Sequence, residues 1–364
     1  MTQLVLPTSR EEAWRWSDLS ALPALAAAGK RADHGELRAL PWIDCALDGA
    51  RLLFVDGVLQ ETESLLGPVT IEAQDGIGEH PLGRLAAGEG WALRLGTHHA
   101  PAGLVQIIHV SSGAADHLPA NVELAKDAQA SIVETFVGEG WVNRATRFSL
   151  GTGARLMVAR RLLNDSGFAS LTDVADVGSG ASLSITSLAA GGMDTRLDGR
   201  VAVTGDAGFA EVGGALLARR RQRHDANLVL DHRALSGMSR QLWRLVADDN
   251  ATCSVAARVE VARGAQKTDA EQSLKGLLLA RTATINAKPE LEIFADDVKC
   301  AHGATVGELD RNALFYLASR GVPAEEAKAL LTQAFVGDAI ARIGEEAVRD
   351  AFETDAAAWF RGEA

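Results

Sequence analysis

Residues 154–189 read ARLMVARRLLNDSGFASLTDVADVGSGASLSITSLA. Two short runs rich in Leu, Val and Ile, ARLMVARRLL (154–163) and ASLSITSLA (181–189), are separated by Asn, Asp and Gly, and they read as strands. The texture continues in both directions, through LVQIIHV (104–110), ASIVETFV (130–137) and NLVLDHRAL (227–235). A pair of small residues precedes a strand at Gln129-Ala130, Gly153-Ala154, Gly180-Ala181 and Ala207-Gly208, with second members 24, 27 and 27 residues apart. Asn250-Ala251 and Gly264-Ala265 are similar but fall out of step. A period between about 20 and 50 residues predicts a repeat array. With strands alone to build it, the array is expected to be a parallel β-helix whose coils touch only their neighbours. An antiparallel sandwich is the competing reading. The expected fold class is therefore mainly β, with a β-helix core over 101–307.

The flanks differ. Residues 1–100 read as a mixed, largely helical part, with a short helix expected over Glu11–Leu19. Within it, RLLFVDGVLQ (51–60) sets two apolar runs on either side of Asp56-Gly57, the residue pair that a type I′ hairpin turn requires. Residues 308–364 read as a helical unit. Asp310 is an N-cap, Gly321 a stop, and Pro323 opens a second helix with Glu325 and Glu326 in its first turn. A third helix is expected over Glu345–Phe360. A unit of this size is marginal alone, so it should lie against the β body or a partner.

Composition narrows the function. With 36 Lys and Arg against 48 Asp and Glu the net charge is −12, and apart from Arg219-Arg220-Arg221 with Arg223 no basic block offers a nucleic acid a face. The apolar stretch ALPALAAAG (21–29) is too short for a membrane span, and the opening residues lack the pattern of a secretory signal. These features predict a cytoplasmic protein that binds neither nucleic acid nor membrane. Three cysteines, Cys45, Cys253 and Cys300, without CxxC spacing argue against a disulfide framework and against a self-contained structural zinc site. No GxxxxGK[ST], GxGxxG, GxSxG or HExxH is present.

The chemistry-bearing segment is AKPELEIFADDVKCAHGATVG (287–307). It sets Cys300 and His302 two residues apart, on one face if they lie on a strand. Thiolate and imidazole are natural ligands for iron or an iron–sulfur unit. Two donors make an open half-site that a second chain would have to complete. The alternative is a buried thiol beside a structural histidine. Asp296 and Asp297 lie close by, either to influence His302 or to cap a turn.

ADDVKCAHGATVGELDRNALFYLASRGV (295–322) resembles the C-terminal signature of the SufD family, a KCSHGATVG-like core followed by LFYL-x-SRG. PTSREEAWRWSDL (7–19) is similar to the family's N-terminal pattern, with Trp16 and Ser17 in place of the usual Tyr and Thr. HDANLVLDHRALSGMSRQLWRLV (224–246) and AQKTDAEQSLKGLLLA (265–280) resemble two further family blocks. The paralogue SufB differs, with an EHEAT-like segment at the position of 301–305 and an essential cysteine in an earlier strand, whose flanks those of Cys253 do not resemble. Cys253 reads instead as a small core residue.

The resemblance implies a right-handed parallel β-helix flanked by small helical N- and C-terminal parts. It implies a non-catalytic scaffold subunit that pairs with SufB through the β-helix and docks SufC, an ABC-type ATPase, through residues 308–364. Leu314, Phe315, Tyr316 and Arg320 are the docking candidates. His302, with Cys300, is expected to hold a transient iron–sulfur cluster or iron at the SufB interface, with no permanently bound cofactor, and the isolated chain is a candidate homodimer. His224 and His232 match family positions near a partner-facing strand, with a core role as the alternative. Two other readings compete: a stand-alone carbohydrate-active β-helix protein, and a purely structural SufC anchor in which His302 does no chemistry.

Overall fold

The runs at 154–163 and 181–189 stack on each other in register, Leu156 beside Leu183 and Val158 beside Ile185, while FASLTDVADV between them forms a strand on the opposite face. This alternation builds the molecule. The structure is a computed structural model describing residues 4–29, 40–45 and 48–362. Its early strands are β1 (Asp48–Val55), β2 (Val58–Leu59), β3 (Val69–Gln74), β4 (Gly88–Leu95), β5 (Leu104–Leu124) and β6 (Gln129–Leu150). The regular coils follow as β7 (Arg155–Leu162), β8 (Phe168–Val177), β9 (Ser182–Ala189), β10 (Asp194–Val203), β11 (Phe209–Ala218) and β12 (Arg223–His232). The last are β13 (Met238–Ala247), β14 (Thr252–Val261), β15 (Asp269–Leu278), β16 (Thr284–Ile293) and β17 (Lys299–Glu308).

One face of the solenoid runs β1, the first half of β5, the first half of β6, β7, β9, β11, β13, β15 and β17, every neighbour parallel. The other face runs β4, the second halves of β5 and β6, β8, β10, β12, β14 and β16, again parallel. The result is a parallel β-solenoid of about eight turns. It starts before the expected residue 101, because β1 and β4 pair parallel to β5 and make a first coil.

The repeat detected in the sequence is a column of corners. Asp127, Gly153, Gly180, Ala207, Ser236 and Lys267 all have positive φ, and each donates its backbone N–H to a carbonyl of the following coil, as from Gly153 to Ser179 and from Ala207 to Leu235, both at 2.9 Å. Three of the four small pairs sit on these corners, while Gln129-Ala130 lies just past the corner at Asp127. Asn250-Ala251 fell out of step because it belongs to the opposite corner, next to Arg220 and Asp249, also with positive φ. The Asp56-Gly57 turn behaves as its sequence requires, with φ of 49° and 76° joining antiparallel β1 and β2.

Side chains alternate between lumen and exterior. The lumen is mostly apolar, but its first coils hold a buried charged chain. His109 is stacked between Phe54 and Phe136, with ring centroids 5.6 and 4.7 Å away. Its Nδ1 accepts from Arg144 Nε at 3.3 Å, so Nε2 carries the proton that faces Glu134 at 3.3 Å. Arg144 also pairs with Asp116. Arg160 Nε donates to Glu134 at 2.8 Å, and its other nitrogens reach Asp173 on the opposite face. Burial acts to raise the Glu134 pKa, but the Arg160 charge and the His109 N–H outweigh it and hold it at about 2. Burial, reinforced by the Arg144 charge, lowers His109 to about 4.

His224 and His232 also point into the lumen, as the inward alternation of Ala226, Leu228 and Leu230 dictates, and both are fully buried. Burial lowers each to about 4. Neither His224 ring nitrogen makes a well-formed hydrogen bond, although the backbone of Leu217 and Arg223 lies close enough to offset part of the burial, and its neighbour in the stack is Cys253, so His224 and Cys253 are core residues.

The N-terminal segment binds the second face as an irregular strap. The helix expected over Glu11–Leu19 is a single 3₁₀ turn at Glu12–Trp14, and then α1 (Leu22–Ala27) follows. Trp14 is instead fixed by the body: Arg196 lies 4.4 Å from its ring centroid and also donates to the Ala13 carbonyl. The helical expectation for 30–39 lies outside the described residues.

At the other terminus come α2 (Arg311–Ser319), α3 (Ala324–Ile340) and α4 (Glu346–Arg361). Asp310 caps α2 by accepting from the Asn312 amide at 2.8 Å, and Gly321 ends it at a φ of 84°. Helices α3 and α4 cover the outside of the first face, where Val336, Ile340, Val348, Phe352 and Trp359 meet Val133, Ala159, Leu188, Leu217 and Val246. Each fully buried Val or Phe contributes roughly 1.5–3 kcal/mol. Arg161 clamps Asp355 at 2.6 and 2.9 Å, and Arg244 clamps Asp338.

Two predictions follow from the lumen. Arg160→Met leaves Glu134 and Asp173 buried without their cation, and is expected to cost about 3–5 kcal/mol in urea unfolding. Neutral buried histidines have folded pKa values near 4 against an ordinary 6.5, so they contribute stability above pH 6.5 that is lost as pH falls toward 4. His224→Leu removes two unpartnered nitrogens; it is expected to cost less than about 1 kcal/mol at pH 7.5 and to flatten the unfolding-midpoint profile between pH 6.5 and 4. An unchanged profile would contradict the lumen assignment.

Candidate functional site

The two ends of the solenoid are unlike. At the start, β1 has β2 antiparallel on one side and β5 on the other, and β4 has β3 and β5, so both first-coil strands are flanked. At the finish, among the described residues, β16 is hydrogen-bonded to β14 alone and β17 to β15 alone. Each leaves a row of backbone N–H and C=O groups facing outward, a template for another chain. The lumen ends there too. Ile285, Ala287 and Leu291 are only half-buried against the core, and Ile293, Phe294 and Val306 are exposed.

Cys300 and His302 lie on β17 at this open end. Leu156, Leu183, Ala210, Ser239 and Ala270 form the lumen row that ends at Cys300; Val158, Ile185, Val212, Gln241 and Gln272 form the row that ends at His302. The two side chains therefore share the lumen-facing side of the last strand, as their spacing predicted. Cys300 is half-buried against the lumen core, while His302 is exposed. Burial, with a contribution from the Asp269 charge, pushes the Cys300 thiol up, so it is protonated at neutral pH and a metal must displace its proton.

Asp296 and Asp297 are exposed and sit in the corner before β17. Asp297 belongs to that corner, since its amide donates to Gln266 Oε1 at 2.9 Å and its carbonyl accepts from Lys267. No group of three or more His, Cys, Asp or Glu side chains is arranged to hold a metal ion among the described residues. Cys300 and His302 are thus two donors that no third His, Cys, Asp or Glu among the described residues joins.

Gln241 and Gln272 carried no signal of a lumen position in the sequence. The Gln272 side-chain amide donates to Gln241 Oε1 at 2.7 Å and to the Ala257 carbonyl at 2.8 Å, while its own Oε1 is buried without a partner. A buried acceptor left so costs roughly 1–3 kcal/mol.

The docking candidates lie apart from Cys300 and His302, on α2. None of its residues is buried. Phe315 and Tyr316 are 76% and 58% exposed, and Arg320 lies 5.4 Å from the Tyr316 ring centroid. Leu314 faces a groove of about 560 Å³ between α2, α3 and the corner at 278–281, with Arg219 and Trp359 also lining it. No other described residue covers the two aromatics. No helix among the described residues is long and apolar enough to cross a membrane.

The chain is thus a parallel β-solenoid with helices along one face and, on the last coil, a thiol and an imidazole at a surface that no other described residue covers. The family model for the SUF system FeS cluster assembly SufBD core domain matches residues 108–335, and the chain belongs to this family. Its likeness to SufD of Escherichia coli (strain K12) runs nearly end to end, 27% identical over 94% of this chain and 87% of that protein. SufD of Bacillus subtilis (strain 168) is 30% identical over 43% of this chain and 36% of its own length. A SufBD family protein of Synechocystis is 39% identical over 34% of this chain and 27% of its own length. Membership gives the chain a role in iron–sulfur cluster assembly.

The thiols should differ in reactivity. Cys253 is fully buried and its pKa is driven far above the ordinary thiol range, so iodoacetamide is expected to leave it unmodified until the chain unfolds. Cys300 is expected to react in the folded chain, more slowly than a free thiol at pH 7.5. Peptide mass spectrometry over time checks the order, and Cys253 reacting first would refute it.

Proposed function

We propose that this chain is the SufD-type scaffold subunit of an iron–sulfur cluster assembly complex, and that its open last coil is the face that meets a SufB-like scaffold. The observation that carries this reading is the conjunction of unpaired strand edges, uncovered lumen and the Cys300–His302 pair at one end of the solenoid. Apposing a second solenoid there would pair the free edge of β17, cover Ile293 and Val306, and set further donors against His302 and Cys300. The nascent cluster, or iron on its way to one, is the cargo of that shared site. Thiolate and imidazole suit either.

A SufC-like ABC ATPase would dock on the C-terminal helices, with Phe315, Tyr316, Leu314 and Arg320 as anchors. The chain itself has no P-loop sequence, so ATP turnover would be the partner's work, and this subunit's part is non-catalytic. Cys253 and Cys300 form no disulfide among the described residues, which supports a reducing cytoplasmic setting. Family membership favours this reading over a stand-alone carbohydrate-active protein. The homodimer expected of the isolated chain would use the same open end.

Co-expression with the SufB-like and SufC-like proteins of the same organism tests the assignment. The full chain is expected to capture both. A chain ending at Glu308, and separately the Phe315→Asp/Tyr316→Ala variant, is expected to lose its share of the ATPase while keeping the scaffold partner. If the full chain captures neither, the assignment fails. His302→Ala should still assemble but mature clusters at least about tenfold more slowly. Full-rate maturation would reduce the chain to a structural anchor for the ATPase.

A further inference from the structure

The row that ends at His302 changes character along its length. Val158, Ile185 and Val212 are apolar, and then two glutamines follow before the histidine. Gln241 and Gln272 are each 1% exposed. Amide side chains are costly in such a place unless their groups are used. The Gln272 nitrogen is used twice, on Gln241 Oε1 and on the Ala257 carbonyl. Those two bonds also fix the amide's orientation. Turning it over would set oxygen against two oxygens and strand two donors, so Oε1 is the atom left over.

That oxygen has no hydrogen-bond partner, and the next side chain in its own row is His302. Neighbouring strands are about 4.8 Å apart, so side chains in adjacent positions of one row can reach each other. His302 is in an exposed position and makes no such bond here. No described residue covers His302, so its side-chain torsions are free to turn the ring toward Gln272, its partner in register.

We propose that Gln272 is the positioning residue of His302: its Oε1 accepts the imidazole N–H, selects one tautomer and leaves the other ring nitrogen bare for iron or the nascent cluster. This rests on His302 being a donor to that cargo, as proposed above. A ligating imidazole whose second nitrogen is held by a fixed acceptor is both oriented and made more basic. The glutamine pair supplies such an acceptor from below, out of water, before any partner arrives. Gln241 in turn holds Gln272.

Two substitutions isolate the acceptor. Gln272→Met and Gln272→Glu both remove the amide donor, but only Glu keeps an oxygen at the end of the side chain; burial keeps its carboxyl neutral, so the O–H donates to Gln241 Oε1 or the Ala257 carbonyl and the second oxygen faces His302. With the full chain labelled with ¹⁵N-histidine, one neutral tautomer of His302 is expected to dominate in the wild type and in Gln272→Glu, and to give way to a mixture in Gln272→Met. In the co-expressed assembly, Gln272→Met is expected to capture partners normally and mature clusters about tenfold or more slowly, with Gln272→Glu restoring most of the rate. If the tautomer ratio is the same in all three, the proposal is overturned, whatever the rates. If Gln272→Met no longer captures partners, the free-chain tautomer ratio alone decides. His302→Ala separates the two levels. Full-rate maturation by that variant sinks the donor role itself, whereas slow maturation with an unchanged tautomer in Gln272→Met sinks only the part assigned to Gln272.

Discussion

Stacking of parallel strands in unbroken register is the constraint on which this molecule depends. Each coil satisfies its backbone groups and buries its apolar side chains only against the coils above and below it. A finite stack must therefore end twice. At the first coil the chain deals with the problem itself, folding β2 and β3 back antiparallel along β1 and β4. At the last coil no such device is present among the described residues, and β16 and β17 carry free edges. An exposed edge is ordinarily a liability, so an end left open beside a thiol and an imidazole reads as a surface kept for a partner.

The same register explains where polar groups are tolerated. In the first coils the lumen holds Asp116, Arg144, His109, Glu134, Arg160 and Asp173, linked by ion pairs and hydrogen bonds from one face to the other. Buried charges of this kind are weak evidence of added stability, since apolar residues would fill the space as well. Their geometric effect is clearer: Arg160 on β7 ties Glu134 of β6 on its own face to Asp173 of β8 on the other, one coil after β5 and β6 bend continuously round a corner. Toward the open end the lumen polarity changes from charge to amide, and the row passes through Gln241 and Gln272 to His302. Two buried polar systems thus occupy opposite ends of one core, the first fully paired and the second ending in an unsatisfied oxygen.

Much of this was legible in the residues. Asp56-Gly57 announced its hairpin because only residues tolerant of positive φ make that turn. The small pairs announced the coils because each corner takes one residue into the left-handed region and sets a small side chain inside it. Asp310, Gly321 and Pro323 marked the helix ends for the same local reasons. What local chemistry does not determine stayed hidden. Glu11–Leu19 has a helical composition, yet the contacts of Trp14 with Arg196 hold it as a strap. Asn250-Ala251 looked like a member of the first column, but only the closed coil shows that two corners exist. For His224 and His232 a partner-facing and a core reading both stood open, and only the alternation of β12 decides for the core. Strand spacing alone put Cys300 and His302 on one face of their strand. The glutamine beneath His302 lies thirty residues away in the chain, and only the register brings it into the same row.

The helices add a mechanical consequence. Helix α2 has no buried residue, while α3 and α4 are fixed to the outside of the first face by apolar contacts and by the Arg161–Asp355 and Arg244–Asp338 pairs. Arg161 belongs to β7 and Arg244 to β13, both in the sheet that finishes at β17. A partner seated on α2 would therefore act on the solenoid through the sheet that carries Cys300 and His302, not through the one that carries the N-terminal strap. Because that sheet is a continuous hydrogen-bonded ladder, displacement of the helices would move its strands together and leave the free edge of β17 as the weakest junction. On the proposed function, chemistry at the end of a stiff stack and force along its side would let a site shared between two chains open without unfolding either.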